Sequence, residues 1–296
     1  MQKQPGLIYN ADNNSTSIAS TSGLRVLTYN THHCAGNDKC TTPPAKEGEL
    51  PNPDCSLDMQ RLADVVLAED PDILAMQEVD RFWARSAGVD QPAELSRLLG
   101  MNVGFGANLV HCPDVHSDVE HEYGVATATR FPIISCTNHI LPTTEGWEPR
   151  GVLEMRIDVP ELGEIAVLNT HLQVALWTGM EEAVRQRREQ AKAIADLVAE
   201  IDVPVVLMGD FNTEPNSGDL EALIGAEGAF TDAWTAAGEG EGHTILDGTT
   251  GQLRARIDYI LVPSMFDVKS VYVVDNERSR MSSDHLPVAA QLTVRN

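Results

Sequence analysis

The sequence predicts an α/β fold, a four-layer α/β sandwich in which two mostly antiparallel β-sheets pack face to face with helices outside. Three observations predict it. Strand-like apolar runs outnumber helical ones along the 296 residues. Several predicted strands follow one another directly, separated by Pro or Gly turns. The chain contains neither a Gly-x-Gly-x-x-Gly nor a Gly-Lys-Ser/Thr phosphate loop, which makes a doubly wound parallel sheet a poorer fit.

The first third of the chain places polar residues at the ends of predicted strands. Leu24 to Tyr29 alternates in polarity and is rich in β formers, so we predict a strand that ends at Asn30. Leu57 to Glu69 carries an apolar stripe at helical spacing and predicts a helix. Asp72 to Gln77 is a short apolar run that predicts a second strand, and it leads into Glu78.

The rest of the chain is predicted to be rich in strands, with a short helix at Pro92 to Leu99 and a long amphipathic helix at Glu181 to Ile201. The predicted strands are Val103 to Val110, Gly124 to Thr129, Ile133 to Leu141, Val152 to Val159, Glu164 to Asn169, Val205 to Asp210, Arg256 to Val262, Val268 to Val274 and one after Asp284-His285.

The distribution of apolar residues favours a single domain. At 42% hydrophobic content the chain can bury one large core. Strand-like runs recur without a linker rich in Pro, Gly or Ser and without a short internal repeat. We therefore predict one catalytic domain over residues 24–296. Residues 1–23 are polar and are predicted to form a flexible tail without a signal peptide.

The formal net charge of −23 argues against non-specific attraction to nucleic acid. It does not exclude a nuclease, because a local basic patch or a divalent cation can reverse the field at the site. The basic cluster Arg185, Arg187 and Arg188 is interpreted as the solvated face of a helix. No run approaches the ~20 apolar residues of a membrane span, so none is expected. We expect a monomer.

Five cysteines allow two disulfides. Pairs Cys40–Cys55 and Cys112–Cys136 would suit a secreted or periplasmic protein and leave Cys34 free, although connectivity cannot be deduced from sequence. The alternative is a zinc site that uses cysteines with His32 and His33. No compact Cys-x-x-Cys spacing supports zinc, and both histidines are interpreted as cleft-wall or loop residues.

The strongest chemical signal is the segment Val205 to Pro215, where an apolar run leads into Asp210 and Asn212. A carboxylate beside a buried strand loses hydration and must recover it from a metal, a charge partner or hydrogen-bond donors. Side chains two apart on a strand point the same way, so the two can address one ligand. The alternative is a capped turn before a helix at Ser217 to Ile224.

Further polar residues end other predicted strands. The set comprises Asn30, Glu78, His171, Asp210, Asn212, Asp258, Asp284 and His285. Oxygen ligands without cysteine suit Mg²⁺ or Mn²⁺, and imidazoles suit proton transfer. Each residue has a structural alternative: Asn30 as a cap, Asp258 as the partner of Arg256, and His171 as a core histidine.

Taken together, these segments resemble the endonuclease/exonuclease/phosphatase superfamily, which includes DNase I-like enzymes. The motifs are Tyr29-Asn30, Gln77-Glu78-Val79, Asn169-Thr170-His171, Gly209-Asp210-Phe211-Asn212, Arg256-Ile257-Asp258-Tyr259 and Ser283-Asp284-His285, in the family's order. The resemblance spans Leu24 to Val294. It implies a four-layer sandwich and divalent-metal-dependent hydrolysis of phosphoesters.

The resemblance also implies roles for individual residues. Glu78 is expected to be the main metal ligand, helped by Asn30 and Asp284. Asp210 and Asn212 would orient or activate water and contact the phosphate. Asp258 would position His285, and Arg150 would contact the phosphate. His171 would donate to a phosphoryl oxygen, with support from Glu122.

The substrate stays open between three hypotheses. A small or lipid-linked phosphoester suits the acidic surface, whereas an exported DNase-like endonuclease suits the possible disulfides and the Glu122–His171 pairing. A non-catalytic binding module would not need the full set of acidic and imidazole residues. The long loop His32 to Ser56 follows Asn30 and is expected to shape the cleft.

Overall fold

Two seven-stranded sheets packed face to face, with helices on both outer sides, confirm the predicted sandwich. The computed structural model describes residues 1–11, 23–37, 57–111, 119–175, 179–226 and 228–295. One apolar layer lies between the sheets and draws on both of them. Two further layers lie under the helices, one on the outer face of each sheet. The predicted single domain over residues 24–296 stays a prediction.

The bounds of most elements agree with the predicted ones to within a few residues. The helices are α1 (Met59–Glu69), α2 (Gln91–Leu99), α3 (Met180–Val198), α4 (Glu221–Ile224), α5 (Ala233–Ala237) and α6 (Glu277–Ser282). The strands are β1 (Gln2–Pro5), β2 (Leu7–Tyr9), β3 (Leu24–Asn30), β4 (Ile73–Arg81), β5 (Asn102–His111), β6 (His121–Thr129), β7 (Ile133–Ile140), β8 (Gly151–Val159), β9 (Gly163–His171), β10 (Val205–Asp210), β11 (Thr231–Asp232), β12 (Ile245–Leu246), β13 (Leu253–Ala255), β14 (Asp258–Val262), β15 (Phe266–Val273) and β16 (Val288–Val294).

Each sheet has a parallel pair of strands near its centre. The first sheet has the order β1-β7-β8-β9-β10-β14-β11, and the second has the order β15-β16-β3-β4-β6-β5-β2. β9 and β10 are parallel in the first sheet, and β3 and β4 are parallel in the second. A parallel connection must cross over the sheet, so α3 lies between β9 and β10 in the chain and α1 between β3 and β4. Both strands of each pair therefore end at the same edge.

The N-terminal segment corrects the predicted flexible tail over residues 1–23. β1 pairs with β7 in the first sheet, and β2 pairs with β5 in the second. Between them, the Gly6 N–H donates to the carbonyl of Cys136 at 3.0 Å. Backbone groups can pair with an open sheet edge without any apolar sequence pattern. The polar sequence of this segment therefore gave no sign of its strands and led to the prediction of a tail. Residues 12–22 lie outside the described part of the chain.

The predicted Cys112–Cys136 disulfide is wrong. Cys136 is a buried free thiol, and its sulfur faces Gly6 and Gly104. Cys34 is free, as predicted. Cys40 and Cys55 lie outside the described residues, so their pairing and the predicted export stay predictions.

The helices that the structure describes include none that is long and apolar enough to cross a membrane.

Candidate active site

The site forms where the carboxyl ends of the two parallel pairs meet. Asn30 lies opposite Gln77 in the register of β3 and β4, and His171 lies opposite Asp210 in that of β9 and β10. β14 is antiparallel to β10 and begins at Asp258, directly opposite Asp210. Strand register therefore brings together residues that lie up to 228 positions apart in the sequence.

A tight turn after β10 fixes the central carboxylate. A side chain at Gly209 is excluded, since a Cβ there would lie 2.0 Å from the carbonyl oxygen of Thr170 on β9. Asn212 has a φ of +51°, and its backbone N–H donates to Asp210 Oδ1 at 2.9 Å. Asn tolerates this left-handed conformation better than most residues. The capped-turn interpretation is thus right about the local geometry, and strand alternation is not what aligns the two side chains.

Asp210 and Glu78 share one amide. Asn30 Nδ2 donates to Asp210 Oδ2 at 3.0 Å and to Glu78 Oε1 at 3.1 Å. Glu78 has a φ of +58° and lies where the pairing of β4 with β6 shifts register between Met76 and Val79. Such a bulge re-aims a side chain, and here it accompanies the turn of Glu78 towards the cleft.

His285 is held by a second carboxylate. Its Nδ1 lies 2.9 Å from Asp258 Oδ2, and its Nε2 lies 3.7 Å from Asp210 Oδ2. Thr244 Oγ1 donates to the same Asp258 oxygen at 2.5 Å. Arg256 instead pairs with Asp232 at 2.8 Å, which excludes the alternative partner of Asp258.

His171 has the opposite kind of neighbour. Arg150 Nη1 lies 3.1 Å from its Nδ1, and Nε2 lies 3.3 Å from Asp210 Oδ2. A guanidinium can only donate, so Nδ1 accepts and the ring proton resides on Nε2. Gln173 Oε1 accepts from Arg150 Nε at 3.0 Å and orients the guanidinium.

These environments drive the pKa values apart. Burial lowers the pKa of His171 well below its usual value, and the charge of Arg150 adds to this. Burial alone would lower the pKa of His285. The negative charges of Asp258 and Asp210 outweigh burial and raise this pKa well above the usual value. Burial raises the pKa of Asp210 to about 7 against the lowering effect of His285. A neutral imidazole, a charged one and a basic carboxylate therefore lie together.

A cleft of about 740 Å³ opens over these groups. Of the predicted residues, it is lined by Glu78, Arg150, His171, Asp210, Asn212, Asp284 and His285. Asn30 and Asp258 lie behind this wall and are each almost fully buried. The prediction of a solvated face for the Arg185 cluster is wrong for Arg187, which is buried against Asp219 at 2.8 Å.

Glu122 does not support His171. It forms an ion pair with Arg81, and no contact with His171 is present among the described residues. β6 carries Glu122 opposite Arg81 of β4 and Val110 of β5, away from the ends of β9 and β10. The predicted role is therefore wrong, because Arg150 occupies the position beside His171 Nδ1.

Sequence reasoning missed several residues that shape the site. Thr244, Gln173, Arg85 and Tyr123 hold or line it, and Arg85 lies over the Tyr123 ring at 5.1 Å. Tyr123 had a signal, because it directly follows Glu122, to which the family resemblance assigns a role. Arg85 lies in a short 3-10 helix and Gln173 in a loop, neither with a sequence pattern, so only the fold brings them to the cleft.

The donor set fits a divalent ion. Glu78 and Asp284 present carboxylate oxygens to the cleft, and burial of Glu78 is outweighed by His33 and His171, which lower its pKa well below the usual value. Buried Asp210, Asp258 and His285 also have ligand atoms within 4.8 Å of one another. We interpret that trio as a hydrogen-bonded pair beside a second carboxylate, since the 2.9 Å contact between His285 and Asp258 suits a shared proton.

Known proteins share this fold. A structure from Beutenbergia cavernae described as endonuclease/exonuclease/phosphatase is 26% identical, with a TM-score of 0.71, 92% of this chain covered and 72% of that one. The mannosyl-6-phosphatase of Bacteroides thetaiotaomicron is 22% identical, with a TM-score of 0.64, 91% of this chain covered and 99% of that one. This second likeness shows the fold alone.

A curated relative matches part of the chain. Protein cwh43 of Schizosaccharomyces pombe is 29% identical over 150 residues, which is 50% of this chain and 14% of that protein. The family model described as "Endonuclease/Exonuclease/phosphatase family" matches residues 27–285. That range includes every strand end of the site, from Asn30 to His285. The chain therefore belongs to the endonuclease/exonuclease/phosphatase family.

Proposed function

We propose that this protein is a divalent-metal-dependent hydrolase that cleaves phosphoesters, and phosphodiesters in particular, by in-line attack of water. One observation carries the proposal: Asp210 Oδ2 lies between an imidazole held neutral and an imidazole held charged, at 3.3 Å and 3.7 Å. A structural ion pair would not need two histidines with opposed protonation. A hydrolase needs both a proton acceptor and fixed positive charge around phosphate.

Asp210 is the proposed proton acceptor. Its pKa of about 7 gives it basicity that an exposed aspartate lacks, and Asn212 and Asn30 hold its two oxygens in place. Water positioned against Asp210 loses a proton as its oxygen attacks phosphorus. The ester oxygen opposite then leaves.

Positive groups offset the charge that grows on the phosphate. His285 remains charged because Asp258 supports it, and the Nε2–H of His171 can donate to a phosphoryl oxygen. Arg150 offers a fixed guanidinium behind His171. Glu78 and Asp284 would hold Mg²⁺ or Mn²⁺ together with Asn30, whose amide would have to turn its oxygen towards the ion. The ion would supply further charge stabilisation.

The cleft favours a small or lipid-linked phosphoester as substrate. About 740 Å³ is the size of a pocket for a small molecule or a head group. The lining includes the apolar residues Val174, Ala175 and Val184 as well as the basic residues Arg85 and Arg254. An amphiphilic phosphoester matches both kinds of residue, and the net charge of −23 repels nucleic acid.

The endonuclease alternative loses one of the two possible disulfides and the Glu122–His171 pairing that favoured it. Cys136 is a free thiol, and Glu122 pairs with Arg81 instead of supporting His171. Nucleic acid therefore enters the test as a competing outcome.

A parallel substrate screen tests the proposal. Protein supplied with Mg²⁺ or Mn²⁺ is incubated with bis-p-nitrophenyl phosphate, sphingomyelin, inositol phosphates, sugar phosphates, plasmid DNA and RNA. We expect cleavage of the synthetic diester and of a small or lipid phosphoester, with loss of activity in EDTA and in Asp210→Asn.

Asp196→Asn, on the exposed side of α3, is the matched control and should keep full activity. Nicking of plasmid DNA as the fastest reaction would reverse the choice of substrate. Activity indifferent to chelation would refute the role of the metal.

A further inference from the structure

An unusual turn follows β3. His32, His33 and Cys34 have φ values of +47°, +41° and +59°, so three consecutive residues other than Gly are left-handed. Side chains disfavour this conformation, and it persists only where the surroundings fix it. Hydrogen bonds do so here: the Cys34 N–H donates to Thr31 O at 2.9 Å, and Gln91 Nε2 donates to His33 O at 2.6 Å.

The turn directs two imidazoles at the predicted metal-binding carboxylates. His33 Nδ1 lies 3.6 Å from Glu78 Oε2, and His32 Nδ1 lies 3.9 Å from Asp284 Oδ1. The two rings contact each other, with centroids 4.6 Å apart. Glu78 is itself left-handed at +58°, so strained backbone lies on both sides of this contact.

The two histidines differ in how their nitrogens are satisfied. His32 Nδ1 lies 3.2 Å from the Gly36 carbonyl oxygen, which accepts its proton. His33 Nδ1 is buried and has no hydrogen-bond partner among the described residues. A buried polar atom without a partner is costly, and a bound water or ion is one way to satisfy it.

A shared cation accounts for this nitrogen. Neighbouring ligands of an octahedral ion with bonds of ~2.1 Å lie ~3 Å apart, which is close to the separation of His33 Nδ1 from Glu78 Oε2. A hydrogen bond between the two would need a shorter distance than 3.6 Å. The side chains therefore lie as two ligands of one ion would, after a small inward movement.

We propose that His33 is a nitrogen ligand of the divalent ion beside Glu78, and that it makes the site prefer Mn²⁺ to Mg²⁺. The inference rests on the proposed metal-dependent function. Mg²⁺ favours oxygen ligands, whereas imidazole favours transition ions. The zinc alternative with cysteine ligands fails at Cys34, because this residue is buried in the apolar layer that includes Leu62 and Val65 of α1.

Mn²⁺ binding to the full chain tests this inference, with electron spin-echo measurement of ¹⁴N coupling to the bound ion. His33→Asn is the main variant, because Asn tolerates the left-handed backbone. His32→Asn is the matched control in the same turn, and His33→Gly removes the side chain without backbone strain. Circular dichroism confirms that each variant folds.

We expect ¹⁴N coupling in the wild type and in His32→Asn and its loss in both His33 variants. The affinity for Mn²⁺ should fall about 10- to 100-fold in these variants, and that for Mg²⁺, measured by competition, less than about 3-fold. Coupling that persists in the His33 variants and disappears in His171→Gln would overturn the inference.

The measurement also separates the two proposals. Mn²⁺ bound without nitrogen coupling, with hydrolysis of the diester retained, would overturn the role of His33 alone. A wild-type protein that binds no divalent ion would overturn both.

Discussion

The two sides of Asp210 differ in what stands behind each histidine. His171, at the end of β9, has the guanidinium of Arg150 behind it, whereas His285, before β16, has the carboxylate of Asp258. Both rings are almost fully buried and both approach Asp210 Oδ2. Burial lowers the pKa of either ring, so the second neighbour decides the outcome: Arg150 adds to that effect and Asp258 overcomes it.

The fold therefore makes one histidine charged and another neutral, because it gives the two side chains different neighbours. The first sheet contributes His171, Asp210 and Asp258, whereas His285 precedes a strand of the second sheet. Packing of the two sheets therefore assembles an acid–base set that neither sheet carries alone.

The largest expected effect comes from the charged side. His285→Ala should lower kcat by roughly 10³-fold or more, since it removes the imidazolium next to the phosphate. Asp258→Asn should lower kcat by a similar order because His285 then loses the carboxylate that keeps it charged. NMR titration should place the His285 pKa above 6.5 in the wild type and lower in Asp258→Asn. An unchanged His285 pKa in that variant would break the comparison.

On the neutral side, Arg150→Ala should lower kcat/KM by about 10²-fold, because a phosphate-facing guanidinium is lost. It should also raise the His171 pKa, since a nearby positive charge is removed. Steady-state kinetics and NMR titration measure the two effects. Arg185→Ala is the control, because Arg185 pairs with Glu182 and Glu189 outside the cleft. Activity lost equally in both variants would point to a general charge effect.

The raised pKa of Asp210, which lies between the two rings, should make the stability of the protein depend on pH. This pKa rises from 3.8 to about 7 on folding, so the folded protein binds a proton more tightly than the unfolded chain between those values. The stability from this group is thus present below about pH 4 and is lost as the pH rises to about 7. In Asp210→Asn this loss should disappear. The Tm of the variant minus the Tm of the wild type should therefore be several degrees larger at pH 8 than at pH 4.5.

Differential scanning calorimetry of the metal-free protein in EDTA measures this difference, with Asp196→Asn as the exposed control. A Tm difference between wild type and Asp210→Asn that stays constant across the pH range would show that folding does not raise the pKa of Asp210.

The smallest effect is expected for Glu122→Gln. Because Glu122 pairs with Arg81 and leaves His171 to Arg150, kcat should change less than about 3-fold. The His171 titration should stay unchanged. A large drop in kcat together with a shifted His171 pKa would restore the role predicted from the family resemblance.

Much of the fold could be predicted because local patterns reflect local environment. β3, α1 and β10 have alternating, striped and continuous apolar runs, and each lies where its pattern indicates. β1 and β2 had no such pattern, since edge pairing of backbone groups stabilises them. The bulge at Glu78 also left no signal, because register against β6 is a property of two strands together.

The sequence by itself determined which residue types end the strands and, through six ordered motifs, the family. Only the tertiary structure decided which of those residues touch. In the fold, His171 contacts Arg150 instead of Glu122, and Asp258 contacts His285 instead of Arg256. The fold also places His33 beside Glu78. The reason is physical: a pKa or a ligand set depends on neighbours within a few ångströms, and the chain brings those neighbours from distant strands.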